Sequence, residues 1–287
     1  MEIDKFLAKQ GEKIKLAKFS TDVSDPDLNK KEAKKILQKK KEKLAELQDL
    51  LYAHDKYSLL IIFQAMDAAG KDSAIKHVMS GVNPQGTQVF SFKQPSAEEL
   101  DHDFLWRVSK SLPERGRIGI FNRSHYEEVL VVRVHNLIKY QKIPQKLISD
   151  SIWEDRFTSI KNFENHVCKN GTVIIKFFLN VSKDEQRKRF IDRLEKPSKN
   201  WKFSASDLEE RSFWDQYQNC YEDAIMATST KNAPWYILPA DTKWYTRLVI
   251  SEILIHHMEK LDMKYPELDE KMKSNIELYK EQLRGDG

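Results

Sequence analysis

Leu59-Leu60-Ile61-Ile62-Phe63-Gln64-Ala65-Met66-Asp67-Ala68-Ala69-Gly70-Lys71-Asp72-Ser73 reads as a buried strand, a tight loop and the start of a helix. The apolar run suits a strand covered on both faces. Small residues and Gly70 suit the loop, and Ala74, Ile75, Val78 and Met79 continue at helical spacing. A helix N-terminus offers unpaired N–H groups and the positive end of the helix dipole, so this junction suits a phosphate. Lys71 would add a point charge over it.

The common phosphate-loop pattern, G-x-x-x-x-G-K-[ST], is kept only in its spacing and in Gly70-Lys71. Ala65 replaces the first glycine and Asp72 replaces the hydroxyl residue. That hydroxyl normally holds Mg²⁺, so Asp67, Asp72 or Ser73 is expected to compensate. The candidate phosphate-binding loop is therefore Ala68, Ala69, Gly70, Lys71, Asp72 and Ser73. An ordinary strand-to-helix turn with an exposed lysine is the plainer alternative.

The 287 residues are 32% charged and 40% hydrophobic, which suits a soluble globular chain with one large α/β domain or two small ones. A net charge of +4 gives no argument for a nucleic-acid partner. Cys168 and Cys220 lie far apart, match no metal spacing and are expected as free thiols in a reducing cytosol. No apolar run approaches the about 20 residues of a membrane span, and Glu2, Asp4 and Lys5 interrupt any signal-peptide core. The expectation is a cytoplasmic protein with no membrane partner.

Along the chain, residues 1–26 read as a polar arm. From Pro26 to about His54 the pattern is helical, with Leu37, Leu44, Leu47, Leu50 and Leu51 near 3.6 spacing among lysines. Those lysines are a solvated face or a help in attracting a polyanion. Strands are expected at 57–64, 87–92, 118–121, 172–179 and 235–238. Helices are expected at 72–80, 96–110, 124–135, 144–168, 182–195, 206–228 and 242–260. Ser96-Ala97-Glu98-Glu99 is a capping box, and Asn170-Gly171 ends a helix. This alternation implies an α/β fold, a five-stranded parallel sheet covered on both faces. Ligands of such sheets bind beyond the carboxyl ends of the strands. The division is a helical extension (1–54), a core (55–262) with a helical insertion at about 183–228, and a charged helical tail (263–287).

Two further stretches carry chemistry. Asn122 ends the third expected strand, where an aspartate often holds Mg²⁺, and Glu127 stands close enough to supply the carboxylate. Arg123 and Glu127, four apart, equally suit a helix salt bridge. After the fourth strand come Arg187-Lys188-Arg189 and Arg193, then Lys196, Lys199 and Lys202 around Trp201. Arg189 and Arg193 share a helix face, and together they suit an arginine lid over transferring phosphates. Lys76, His77, Lys93 and Arg133 are further basic candidates near such a cleft, and Trp214, Tyr217 and Tyr221 at helical spacing are most simply core.

Several long motifs in order resemble the polyphosphate kinase 2 family: Met66–Ser73, Val82–Gly86, Ser91–Ser96, His102–Arg107, Phe121–Glu127, Lys199–Lys202 and Thr228–Thr230 with Ala233-Pro234-Trp235. The likeness spans about residues 50–260, and Asn122 with Glu127 resembles the family's third class. The resemblance implies a three-layer α/β/α P-loop kinase fold related to thymidylate kinases. It implies transfer of a terminal phosphoryl group between inorganic polyphosphate and adenine nucleotides, ADP and AMP, with Mg²⁺ (or Mn²⁺). It places Asp67, Lys71 and Arg123 among the catalytic residues and Arg187 and its neighbours, including Arg193, on the lid.

The mechanism this suggests sets the terminal phosphates on the N–H groups of Ala68 to Lys71. Lys71 and Arg123 hold the transferring group, and Asp67, Asn122 and Glu127 are the candidate metal ligands. Lys76, Arg133 and Arg189 are further candidate phosphate contacts, and Asn83, Phe92, Lys93 and Trp106 are candidates for the nucleotide. A homo-oligomer is expected, and the leucine-bearing N-terminal helix has a stripe that could be buried against another subunit. The rival readings are an ATP-dependent nucleoside monophosphate kinase of thymidylate kinase type and a non-catalytic polyphosphate-binding protein.

Overall fold

A segment as apolar as residues 59–63 demands cover on both faces, and every residue of it is buried. The computed structural model describes residues 1–285 except 24, 26 and 27. Its strands are β1 (Leu7–Ala8), β2 (Ser58–Gln64), β3 (Thr87–Ser91), β4 (Ile118–Asn122), β5 (Thr172–Asn180) and β6 (Trp235–Pro239). They form one sheet in the order β1-β6-β5-β2-β4-β3. β2 pairs in parallel with β5 on one side and β4 on the other, and β3 and β6 extend the parallel set. β1 runs antiparallel along β6, with Leu7 opposite Tyr236. The parallel set thus holds the five expected strands, but the sheet has a sixth. Two residues are too few to show a strand's alternation, so Leu7–Ala8 passed as part of an arm.

The first helices are α1 (Lys30–His54), α2 (Lys71–Val78), α3 (Ala97–Leu100), α4 (Trp106–Ser109), α5 (Val131–Val134) and α6 (Ile152–Lys169). They are followed by α7 (Lys183–Glu195), α8 (Pro197–Asn200), α9 (Ser206–Ser212), α10 (Trp214–Thr228), α11 (Lys243–Glu259) and α12 (Glu270–Gly285). α1 and α2 pack on α11, while α5 and α6 pack on α10. Asn29 caps α1 by accepting from the N–H groups of Lys31 and Glu32. Pro26, where this helix was expected to start, lies outside the described residues.

Leu37, Leu44, Leu47 and Leu51 are buried within the chain itself, beneath α11. The stripe considered for another subunit is therefore already covered. The lysines of α1 face acidic residues of α11: Lys40 pairs with Glu252, and Lys43 lies 3.7 Å from Glu259.

Several helices are shorter than their sequence pattern. The stretch at 124–135 is a 3₁₀ turn (His125–Val129) followed by α5, because Leu130 adopts φ −112° and ψ −91° between them. Pro144 opens only a 3₁₀ turn, and α6 starts at Ile152. The capping box at Ser96 is formed, but its helix stops at Leu100. The expected helix at 206–228 breaks at Phe213 into α9 and α10. Trp214, Tyr217 and Tyr221 are buried, as core residues at helical spacing should be.

Behind the sheet, β5 carries a buried lysine. Lys176 donates to Glu164 Oε2 at 2.5 Å, to the Tyr126 hydroxyl at 3.0 Å and to Thr228 O at 2.9 Å. Burial pushes the Glu164 carboxyl up, but Lys176 overcomes this and holds it below its ordinary range. His125, fully buried, has Nε2 3.5 Å from Glu164 Oε1, so it packs against this cluster.

Candidate functional site

The loop after β2 is shaped by its backbone. Gly70 sits at the N-terminal cap of α2 with φ +110° and ψ 22°, a conformation natural to glycine. Ala68 adopts φ +58° and, across the cleft, Arg123 adopts φ +63°. Left-handed backbone at two non-glycine residues costs about 1 kcal/mol or more each, and such strain gathers at functional sites. The Lys71 amine turns back onto its own loop, donating to Ala65 O at 2.7 Å and Met66 O at 3.4 Å.

The facing wall comes from the end of β4. Arg123 N donates to Phe63 O at 3.0 Å, and its guanidinium pairs with Asp67 Oδ1 at 2.8 Å. The Asn122 amide donates to Asp72 Oδ1 at 2.6 Å. Gln64, buried at the end of β2, donates from its amide to Glu127 Oε1 at 2.9 Å and accepts from Ser124. Arg107, buried, donates to Lys93 O at 2.8 Å and lies over the Phe92 ring, so it braces the Phe92–Lys93 wall.

Between these walls lies a cleft of about 620 Å³. Each parallel strand sends the segment after it into this cleft: Asp67–Ser73 after β2, Ser91–Lys93 after β3, Asn122 and Arg123 after β4, Arg189, Asp192, Arg193, Lys199 and Lys202 after β5, and Lys243 after β6. This is the place where parallel sheets bind ligands. Glu127 lies on the far side of Asp67 and Arg123, in an adjoining cavity of about 250 Å³ shared with Tyr217 and Tyr221.

Several of the candidate residues stand away from both cavities, His77 among them, turned to Ser73 O. Arg187 is exposed, with Asp184 at 3.8 Å. Lys76 is exposed on α2. Arg133 donates to Asp223 Oδ2 at 2.9 Å. Asn83 caps the turn at Pro84–Gly86, and Trp106 stacks between His102 and Lys110. Arg189 lines the cleft, but its guanidinium is turned to backbone carbonyls. Lys243 also lines the cleft and belongs to no motif in the sequence. Its signal was position, since it starts a helix just after a parallel strand, in the same relation that Lys71 has to β2.

Burial, assisted by Arg123, pulls the Lys71 amine down to about 8, against the opposing pull of Asp67, Glu127 and Asp72. Burial pushes the Glu127 carboxyl up, against Arg123 and Lys71. Burial also lowers Lys243, helped by Arg189 and Lys199. A cation-rich cleft that strains its own cations is one prepared for an anion. Among the described residues, no three His, Cys, Asp or Glu side chains are grouped to hold a metal unaided. Mg²⁺ usually takes one or two carboxylates and completes its shell with water and substrate phosphates, and Asp67 beside the loop fits that pattern.

The sequence matches the family described as Polyphosphate kinase 2 over residues 27–266. A protein of Rhodopseudomonas palustris named ADP-polyphosphate phosphotransferase is 51% identical over 280 residues, covering 97% of both chains. One of Meiothermus ruber named AMP/ADP-polyphosphate phosphotransferase is 49% identical over 225 residues, covering 78% of this chain and 80% of its own. The crystal structure of polyphosphate kinase 2 from Arthrobacter aurescens superimposes with a TM-score of 0.82 at 38% identity, covering 96% of this chain and 98% of that one. A basic cleft at the strand ends, a strand-to-helix loop bearing Gly70 and Lys71, and these likenesses over nearly the whole length lead to one conclusion: the chain belongs to the polyphosphate kinase 2 family.

Proposed function

We propose that the protein transfers the terminal phosphoryl group of inorganic polyphosphate to ADP and to AMP, reversibly, forming ATP in one or two steps on a P-loop kinase fold. The carrying observation is the cleft in which the Gly70–Lys71 loop faces Arg123 and is continued by Arg193, Lys199, Lys202 and Lys243. A single nucleotide needs fewer cations, whereas a long polyanion uses them all. Both relatives are named for polyphosphate and ADP, and the second also for AMP, which supports this donor over ATP and supports catalysis over mere binding.

The reaction needs no strong base, because phosphate oxygens of ADP and AMP are already anionic. Catalysis is then positioning and charge neutralisation. The donor's terminal phosphates rest on the loop N–H groups, while Lys71 and Arg123 bear on the transferring group. Mg²⁺, held by Asp67 with Glu127 or Asn122 near, would neutralise charge between donor and acceptor. Phe92 and Lys93 form the wall nearest the nucleotide, and residues beyond α7 close over the cleft as a lid. Free Cys168 and Cys220 fit the reducing cytoplasm, and no helix among the described residues is long and apolar enough to cross a membrane.

One assay tests the reading. Incubation with polyphosphate, Mg²⁺ and either ADP or AMP should yield ATP, and removing the metal should stop it. Product from ATP as donor but none from polyphosphate would mark a conventional monophosphate kinase, and salt-sensitive binding without product would mark a binding protein. The lysine adds a pH signature. Below about 8 Lys71 is charged in the free enzyme, and above it the amine is increasingly neutral. Polyphosphate kcat/KM should therefore fall as pH rises past that value, approaching about tenfold per unit, because this parameter reports the free enzyme. A flat profile up to pH 10 would remove the Lys71 charge from donor capture.

A further inference from the structure

Five consecutive carbonyl oxygens, Ala65 to Ala69, all accept from side chains. Lys71 takes the first two, as described. Gln186 Nε2 donates to Asp67 O at 2.9 Å. Arg189 Nη1 donates to Ala68 O at 3.0 Å and to Ala69 O at 2.6 Å. The rest of the Arg189 fork is also used. Nη2 donates to Ala240 O at 2.7 Å and Asp241 O at 2.8 Å, and Nε donates to Glu185 Oε1 at 2.8 Å. Gln186 and Arg189 lie on one face of α7 and are 1% and 8% exposed. In a planar trans peptide the C=O and the following N–H point in opposite directions. Drawing the carbonyls of Asp67 and Ala69 toward α7 therefore turns the N–H groups of Ala68 and Gly70 away from it, toward the cleft.

We propose that Gln186 and Arg189 are positioning residues of the phosphate loop. Helix α7 grips the loop by its carbonyls so that its amides meet the anion, and Arg189 itself touches no phosphate. This departs from the sequence expectation that Arg189 is a phosphate ligand. A guanidinium already donating to five oxygens, two of the loop, two of the β6–α11 connection and one of Glu185, has no N–H group to offer without breaking that grip. Arg189 also ties the loop to the β6–α11 connection through Ala240 and Asp241, so three strand ends are fixed relative to one another. The inference rests on the reading of the loop as the polyphosphate cradle and deepens it.

The test uses the full-length enzyme with Arg189→Met and, separately, Gln186→Met. Amide hydrogen exchange without ligand should speed up at residues 66–71 while the sheet keeps its protection. Polyphosphate kcat/KM should fall by about 10²-fold for Arg189→Met, the scale of an ångström-sized misplacement, and less for the neutral Gln186→Met. The slope of log KM for polyphosphate against log salt should match the wild type, because no phosphate contact is lost. A slope shallower by about one unit in Arg189→Met would make Arg189 a direct ligand and overturn the proposal. Unchanged loop exchange in both variants, or exchange raised equally across the sheet, would overturn it too. If Arg189→Met does not fold, Gln186→Met decides alone on the same exchange readout. Wild-type turnover of polyphosphate, measured alongside, tests the parent reading separately, since exchange in the free enzyme does not depend on which anion the loop takes.

Discussion

Replacing Lys71 with methionine is expected to lower turnover by about 10²–10³-fold with little change in stability, the scale of losing one preorganised electrostatic group. Lys71 lines the cleft, with Arg123, Asp67, Asp72 and Glu127 as the charged neighbours of its amine. Burial makes the charge costly in the free enzyme, which is why its proton is held weakly. On the proposed role, an incoming phosphate would reverse that cost, and most of all when charge builds up during transfer. Methionine keeps the stem that packs against the loop and removes only the charge and its two bonds to Ala65 and Met66. Steady-state ATP formation measures the loss, and thermal unfolding checks the fold. The pH profile should lose its alkaline limb as well. Wild-type turnover in this variant would take the loop out of the chemistry.

Lys176→Met is expected to cost about 3–5 kcal/mol of folding stability, because it strands a buried carboxylate. Lys176 is fully buried and Glu164 nearly so, so water cannot replace the lost partner. All three N–H donors of the lysine are in use, which leaves no slack in the cluster. Tyr126 and Thr228 would lose partners together. The pair itself adds little net stability, since desolvating both charges offsets most of their attraction. The double variant Lys176→Met with Glu164→Leu should therefore recover much of the loss. Urea unfolding of the two variants beside the wild type gives the answer, and a single variant as stable as the wild type would contradict the buried ion pair.

The fold was legible wherever local pattern and long-range packing agreed. The β2 run, the capping box at Ser96 and the helix end at Asn170-Gly171 carry their geometry in three or four neighbouring residues. The helix breaks at Leu130 and Phe213 do not, because an unbroken apolar period conceals a backbone turn imposed by packing. Leu7–Ala8 became a strand only because β6 offered a free edge. At the site, Asp67, Lys71, Asn122, Arg123, Arg193 and Lys93, singled out by loop spacing, strand ends, charge and family resemblance together, do share the cleft. Arg187, Lys76, Arg133, Asn83 and Trp106 were named on charge or motif, and side-chain direction sends them elsewhere. Lys243 and Gln186 were invisible to motif reading, since a single residue at a helix start or a neutral amide on a basic helix carries no local signature.

The short antiparallel strand at the chain's beginning has a practical side. With Leu7 and Ala8 in place, the backbone of Trp235 and Tyr236 is paired and closed to a passing chain. Phe6, rooted against Tyr245, anchors that seal. Deleting residues 1–8 would strip that cover and leave a sticky seam along Trp235 and Tyr236.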